Sequence, residues 1–454
     1  MIKNWLYHLL CLAGMFIVVS CQSLAPFQTT PGAPRRQGNE TPTAYLPVIT
    51  REYRTSARTW PETTNRIMVF NDQLNPAMTD AQFRFAATHY AGAQKMLLKD
   101  TLRLRQFNPD FLVLHYRLGQ ALGHSVPVNC RPSTDFLSII QGNEWIREYP
   151  GDAVVQENWF FHWNNKRVFN CDWGHYLMNL EDPGWRSWWS DQVMKQLQAN
   201  ENDGVFADSY NIPNYGFTWN PALPEVDESF ESAWAARQRS FTDYIQSRFA
   251  GRWKWIPNIG AWITTRDPSN YNNADGVMIE GFAAWGDGDY FGEEDWILQM
   301  NRLLPLLRSD KIILAQTYTN PSHLNDRLFV LGSYLLVKGK YTYINLEMAE
   351  EPEWFPEFGI NLGTPVDPLP ANIASFRDAE SGIYVRRYSL GMVLVNPSDQ
   401  ARTYNPGGVF QQVIQSGGGL VPEDGTAPGS LSYRAVSSLT LPACQAAILL
   451  NRTP

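Results

Sequence analysis

Asp203-Gly204-Val205-Phe206-Ala207-Asp208 and Asp275-Gly276-Val277-Met278-Ile279-Glu280 are one phrase written twice: an Asp-Gly turn, a short apolar run and a carboxylate at a matched offset. Side chains alternate between the two faces of a strand, so Phe206 shares a face with Asp208, and Met278 with Glu280. Each acid therefore ends a strand, and the two are in register. Where parallel strands close into a barrel, their carboxyl ends form the face on which active sites are built, which makes Asp208 and Glu280 candidate catalytic partners. Asp203 and Asp275 begin the same strands at the opposite, stabilising end and read as turn residues.

Working outward, short apolar runs of this kind recur at 66–70, 111–115, 176–179, 204–207, 254–257, 276–279, 311–314 and 341–344. Stretches with helical periodicity lie between them at 82–105, 185–198, 230–249 and 293–307. Alternation of this type predicts an α/β protein, a (β/α)8 TIM barrel over residues 63–370, in which the repeated phrase supplies the fourth and sixth strands. The third run follows a long segment, 145–171, with room for a hairpin of its own around 158–169. From about Ala371 the pattern changes to short strands such as Ile383-Tyr-Val-Arg-Arg-Tyr388 and Ala446-Ala-Ile-Leu-Leu450, separated by glycine-rich turns. Residues 371–454 are therefore expected to form a small antiparallel β-sandwich that supports the barrel.

The first 20 residues have a short n-region and an apolar stretch from Leu9 to Val19, the pattern of a signal peptide. Val18-Val19-Ser20-Cys21 resembles a bacterial lipobox, which makes Cys21 the expected lipidation site and places the mature chain in the cell envelope, tethered to the outer membrane since Gln22 is not aspartate. Residues 21–62, rich in Pro, Thr, Gln and Arg, read as an extended tether. A net charge of -8 with no basic run argues against nucleic acid, and 17 Trp with 20 Tyr suit a protein that stacks on sugar rings. Of five cysteines, Cys11 leaves with the leader and Cys21 carries lipid. Cys130 and Cys171 can pair across loops or stay apart on spacing alone, with Cys444 in an apolar strand. No C-x-x-C or histidine cluster points to a metal, and no cofactor is expected.

Cleavage of a glycosidic bond needs one carboxyl to protonate the leaving oxygen and a second as nucleophile or base. Fourth and sixth strands are second neighbours, roughly 10 Å apart at ~4.8 Å per strand, a spacing that admits both the retaining and the inverting geometry. The bland alternative has Asp208 capping the next turn through Asn211, and Glu280 paired with Arg117 or Arg266. Other strand ends supply a polar ring for sugar hydroxyls: Asp72, His115, Arg117, Tyr210, Asn258, Gln316 and Glu347, with Trp173 and Trp285 in the long loops where an aromatic platform would sit. Asp72 and Glu347 are the rival acids.

Arg66-Ile-Met-Val-Phe-Asn-Asp-Gln73, His89-Tyr-Ala-Gly92, Phe111-Leu-Val-Leu-His-Tyr-Arg117, Gly204-Val-Phe-Ala-Asp208 and Gly276-Val-Met-Ile-Glu-Gly-Phe282 resemble hypothetical glycosyl hydrolase family 15, TIM-barrel glycosidases often found as bacterial lipoproteins. The resemblance implies a barrel related to the α-galactosidase and α-glucosidase superfamily, with a nucleophile ending the fourth strand and an acid/base ending the sixth. Asp208 and Glu280 stand at those places, although many relatives carry aspartate at the second. The expected function is hydrolysis of O-glycosidic bonds in an oligo- or polysaccharide by a carboxylate pair. The alternative is a surface lipoprotein that binds glycans without cleaving them.

Overall fold

The computed structural model describes residues 57–124, 129–132, 137–142, 144–147, 155–286, 288–346 and 351–453. The leader, Cys21, most of the tether and Glu347 lie outside them. Eight parallel strands form one sheet: β1 (Val69–Asn71), β2 (Tyr90–Gln94), β3 (Leu112–Leu118), β4 (Gly204–Asp208), β5 (Lys254–Pro257), β6 (Gly276–Glu280), β7 (Ile312–Gln316) and β8 (Thr342–Asn345). Their order is β5-β4-β3-β2-β1-β8-β7-β6. A single parallel bridge, Asn258 to Met278, joins the two ends of that order, so the sheet is a nearly closed barrel.

Two strands differ from the expectation. Residues 176–179 are not in the barrel: Tyr176–Leu177 pairs antiparallel with Ala121–Leu122 and with Phe169–Asn170, in a four-stranded sheet inserted after β3. The strand without a sequence signal is β2, inside the stretch that reads as one helix over 82–105 and that divides into α1 (Asp80–His89), β2 and α2 (Leu98–Phe107). Tyr-Ala-Gly-Ala-Gln has no β-branched residue and follows α1 without a turn, so propensity is silent and tertiary packing decides. A Cβ on Gly92 would fall 2.5 Å from the carbonyl oxygen of Leu112, so glycine is what lets β3 lie against it. The two differences offset each other, and the repeated phrase remains the fourth and sixth strands.

The helices that cover the barrel further along are α3 (Pro183–Ala199), α4 (Glu228–Phe249), α5 (Glu293–Arg308) and α6 (Leu324–Val337). Asp182 caps α3, accepting from the backbone N–H of Trp185, with Pro183 in the first turn where its missing N–H is not needed. Inside the barrel, Phe70, Leu112, Leu114, Tyr116, Phe206, Ile256, Met278, Ile312, Leu314 and Tyr343 form one apolar cluster. The alternate residues of the same strands, such as Val113, Val205, Val277 and Ile313, join the larger core between sheet and helices.

The Asp-Gly pairs do identical work at the amino end of the barrel. Asp203 accepts from the Val113 N–H and pairs with Arg58 and Arg105, while Asp275 accepts from the Trp255 N–H and pairs with Lys254. Each aspartate thus fastens its strand to the preceding one. The glycines serve the other side, where a Cβ would meet Lys254 O at 2.4 Å from Gly204 and Ile312 O at 2.1 Å from Gly276.

Beyond the barrel, a five-stranded antiparallel sheet is built from β9 (Tyr384–Tyr388), β10 (Gly391–Asn396), β11 (Phe410–Ser416), β12 (Ser430–Val436) and β13 (Gln445–Leu450), in the order β9-β10-β13-β11-β12. Val393, Val395, Ala446 and Ile448 face the barrel and belong to its core, while Met392, Leu394, Ala447 and Leu449 face a second layer that includes Leu439 and Leu441. Helix α6 is sandwiched between barrel and sheet, which explains why it is apolar all round: every residue from Asp326 to Val337 is buried. A fully buried ion pair, Arg327 to Glu357 at 2.8 Å, anchors the junction, and Arg327 also donates to Gly417 O at 2.8 Å. Cys130 and Cys171 form a disulfide, and Cys444 is free and half-buried.

Candidate active site

The inward face of β4 ends in Asp208, that of β6 in Glu280, and both side chains are partly exposed at the carboxyl end of the barrel. The backbone turns sharply after each, with Ser209 at φ 55° and Gly281 at φ 90°. Left-handed geometry is unfavourable for a serine, and its presence beside a candidate acid is the kind of local strain that active sites hold. Trp285 packs its ring on the open face of Gly281, where a Cβ would come within 2.7 Å of it.

The two carboxyls share a ligand. Asn258, the residue after β5, donates from its one amide nitrogen to Asp208 Oδ1 at 2.8 Å and to Glu280 Oε2 at 2.6 Å. Those two contacts laid end to end bound the separation of the oxygens at about 5.4 Å, and the ~120° between the hydrogens of an amide brings it to roughly 4.7 Å. The remaining partners are phenols and backbone. Tyr116 donates to Asp208 Oδ2 at 2.7 Å, the Ser209 N–H donates to Asp208 Oδ1 at 2.7 Å, and Tyr318 donates to Glu280 Oε1. Gln316, at the end of β7, donates to the Tyr318 oxygen at 3.1 Å and so supports that phenol.

Burial and then the neighbouring Asp208 charge raise the Glu280 carboxyl above the usual range, against the opposing hydrogen bonds from Tyr318 and Asn258. The phenols of Tyr116 and Tyr318 are pushed well above their ordinary value, first by burial and then by the acids beside them, so both remain donors across the physiological range. Asp72, which follows β1, is buried and held by Lys95 Nζ at 2.7 Å and by Gln94 Nε2 at 2.9 Å. Its charge reaches Glu280, Tyr116 and Tyr318. Asp72 thus lines the same mouth as a paired third acid.

Three expected ring members are elsewhere. His115 is buried on the outer face of β3 beside Gln196 of α3, where burial and then the Arg117 charge lower its imidazole to about 3. Arg117 lies over the rings of Trp188 and Trp189 of α3, at 5.6 and 5.3 Å. Tyr210 is fully buried between sheet and α4, donating to Gln238 O at 2.9 Å. For the first two strand parity is the reason, since in β3 the inward residues are Leu112, Leu114 and Tyr116, which places His115 and Arg117 outside, whereas Tyr210 lies past the turn at Ser209. Tyr116 is a site residue absent from the sequence-derived ring, as are Lys95 and Gln94. The sequence offers no signal for Tyr116, since Phe111 and Val113 on the other face are as apolar as Leu112 and Leu114. Trp173 lies at the tip of a turn in the inserted sheet, partly exposed, with its ring 6.0 Å from that of His124. Of the bland pairings, that of Glu280 with Arg266 gives way to an ion pair between Arg266 and Glu231.

Among the described residues, no group of three or more His, Cys, Asp or Glu could hold a metal ion. The arrangement is a carboxyl pair with one member raised, bridged by an amide and flanked by two phenols, and it suits acid-base and nucleophilic work on a bond held between the two acids.

The sequence profile of hypothetical glycosyl hydrolase family 15 matches residues 105–392. No curated protein matches the chain. Solved structures similar to it include the glycoside hydrolase domain of PelA from Pseudomonas aeruginosa, with 16% identity and a TM-score of 0.38, covering 63% of this chain and 96% of that one. The α-amylase from Geobacillus thermoleovorans shows 12% identity and a TM-score of 0.36, covering 87% and 100%. The GH36 α-galactosidase AgaA from Geobacillus stearothermophilus shows 10% identity and a TM-score of 0.40, covering 85% of this chain and 55% of that one.

Proposed function

From the premise that the chain belongs to hypothetical glycosyl hydrolase family 15, we propose that it hydrolyses O-glycosidic bonds of a carbohydrate with retention of anomeric configuration, Asp208 serving as nucleophile and Glu280 as general acid and base. The observation that carries this reading is the shared amide of Asn258, which keeps one oxygen of each carboxyl within about 5.4 Å of the other, close to the ~5–5.5 Å of a retaining pair and short of the ~6.5–9.5 Å that leaves room for an inverting water. Three donors converge on Asp208 and orient it, whereas Glu280 is the member whose protonated form burial and the Asp208 charge favour.

In the first step an Asp208 oxygen bonds to the anomeric carbon as the carbon to leaving-oxygen bond breaks, and the Glu280 proton passes to that oxygen. Glu280, now a carboxylate, takes a proton from water, whose oxygen attacks the anomeric carbon and releases Asp208. The second transfer returns the proton to Glu280 and closes the cycle. In this reading the sugar meets Asp72, Asn345 and Gln316 on neighbouring strand ends and Trp285 in the loop after β6.

We propose further that Cys21 carries lipid and holds the protein in the bacterial envelope through the 21–62 tether. The Cys130 to Cys171 disulfide suits such an oxidising compartment. Labelling with a radioactive fatty acid, lost in Cys21→Ala, tests the anchor.

The catalytic reading is tested by screening a glycan panel for new reducing ends with the native enzyme and with folded Asp208→Asn and Glu280→Gln variants. Release by the native chain and a loss of at least ~10³-fold in both variants is the expected result. Sugar retention without any release would make the protein a binder, and full turnover by either variant would remove that residue from the mechanism.

A further inference from the structure

Asn258 stands among the strand-end groups suited to sugar hydroxyls, but its side chain has little left to offer a ligand. An amide group has two N–H donors, and both are spent on Asp208 and Glu280. Its carbonyl oxygen accepts the Gly260 N–H at 3.0 Å, and the residue is only 4% exposed.

The backbone at this point is equally committed. The Asn258 N–H donates to Ala207 O at 2.8 Å and its carbonyl accepts the Tyr210 N–H at 2.8 Å, which ties the residue to both sides of Asp208 on β4. The next N–H, of Ile259, donates to Met278 O at 3.1 Å, two residues before Glu280 on β6. This is the same rung at which β5 and β6 meet and the barrel closes. Asn258 and the backbone amide that follows it therefore fasten both acid-bearing strands, and the Asn258 side chain fastens both acids.

We propose that Asn258 is a positioning residue, a crossbar whose single amide group sets the distance between the two reacting carboxyls and thereby the stereochemical course. The inference rests on the reading of Asp208 and Glu280 as the reacting pair. Two carboxyl groups this close repel when both are charged, and a donor lying between them offsets that repulsion while holding them at the retaining spacing. With the donor removed, they separate toward the spacing at which water fits between nucleophile and sugar.

The charged and titratable groups facing Glu280 come from five other strands: Asp208 on β4, Asp72 after β1 with its partner Lys95 after β2, Tyr116 on β3 and Tyr318 after β7. Asp208 and Asp72 raise the Glu280 carboxyl, and Asn258 and Tyr318 are the groups that lower it. Loss of the Asn258 donors therefore moves its titration upward.

The test compares Asn258→Leu, which keeps the approximate shape and removes the donors, with Asn258→Asp, which keeps the shape and adds a further carboxyl. The Glu280 carboxyl is titrated by carbon NMR without substrate, the pH profile of kcat/KM is recorded, and the anomer of fresh product is read by proton NMR. Expected are an upward shift of Glu280 by about one pH unit in Asn258→Leu and a larger one in Asn258→Asp. The basic limb of kcat/KM should move with it, turnover should drop ~100-fold, and part of the product should be inverted. Asn258→Gln, which restores two donors, should recover part of the rate. An unshifted Glu280 and full retention in Asn258→Leu and Asn258→Asp, with Asp208→Asn and Glu280→Gln inactive, would overturn the crossbar alone. Active Asp208→Asn or Glu280→Gln would instead overturn the paired-acid reading beneath it. If Asn258→Leu does not fold, the same three readouts on Asn258→Asp decide the matter.

Discussion

Gly276→Ala adds one methyl group at the foot of the strand that carries Glu280, and its effect can be worked from the neighbouring backbone. The new Cβ would lie 2.1 Å from the carbonyl oxygen of Ile312 and 2.5 Å from the Ile312 Cβ. Ordinary carbon to oxygen approaches across a sheet stop at ~3.3 Å, so β6 and β7 must part by roughly 1 Å at this rung. The obstacle is main chain, with no side chain that can swing aside. Overpacking of this kind costs about 1–3 kcal/mol. The displaced rung is four residues from Glu280, on the order of 13 Å along the strand, and a 1 Å misplacement of a catalytic group costs about 10²-fold in rate. Urea unfolding followed by tryptophan fluorescence should show a lower midpoint, and reducing-end release should fall ~10-fold or more in protein that remains folded. Gly204→Ala, with its nearest contact at 2.4 Å, should do the same to Asp208 less severely. An alanine variant at Gly276 with an unchanged midpoint and full turnover would refute the claim that glycine is required there for strand approach.

Other perturbations probe the frame around the site. Arg327→Met strands Glu357 in a site where both partners are wholly buried, so urea denaturation should register a loss of about 3–5 kcal/mol, largely recovered in the double variant Arg327→Met, Glu357→Leu. Burial and then the Arg386 charge lower the Lys338 ammonium to about 7, below the ~10.4 of an unfolded chain. Between those values the unfolded state binds more protons, so Lys338 contributes stability that grows as pH rises from 7 toward 10; Lys338→Met should flatten that part of the curve measured by denaturation. Reduction of the Cys130 to Cys171 disulfide, which closes a separation of 41 residues, should destabilise the protein by about 4 kcal/mol on chain-entropy grounds, read as a lower midpoint in reductant.

The barrel was legible because Asp-Gly punctuation and apolar runs are written by the same constraints that the structure imposes: aspartate fastens one neighbour and glycine admits the other. β2 is hidden in the sequence because Tyr-Ala-Gly-Ala-Gln is shaped by close approach to β3 and leaves no β-branched signal. The Tyr176 run misleads for the opposite reason, since an antiparallel insertion strand and a barrel strand look alike when only two or three residues long. Asp208 and Glu280 stand out because strand ends with matched offsets are a one-dimensional signal. His115, Arg117 and Tyr116 sort wrongly from sequence because a parallel strand covered on both faces is apolar on both, which hides its parity. Asn258 was legible as a polar group at a strand end, but its bridging of the two acids was not, for it is brought between them only when the ends of the sheet meet.

Whether Asp208 is the nucleophile and Glu280 the acid and base is decided by azide rescue on an aryl glycoside of a sugar that the native enzyme cleaves, whose phenolate departs without a proton. With Asp208→Gly, azide should take the vacated place and give a glycosyl azide of inverted configuration; with Glu280→Ala, it should attack the glycosyl-Asp208 bond and give the retained one. The reverse pairing, or one configuration from both variants, would contradict the assignment.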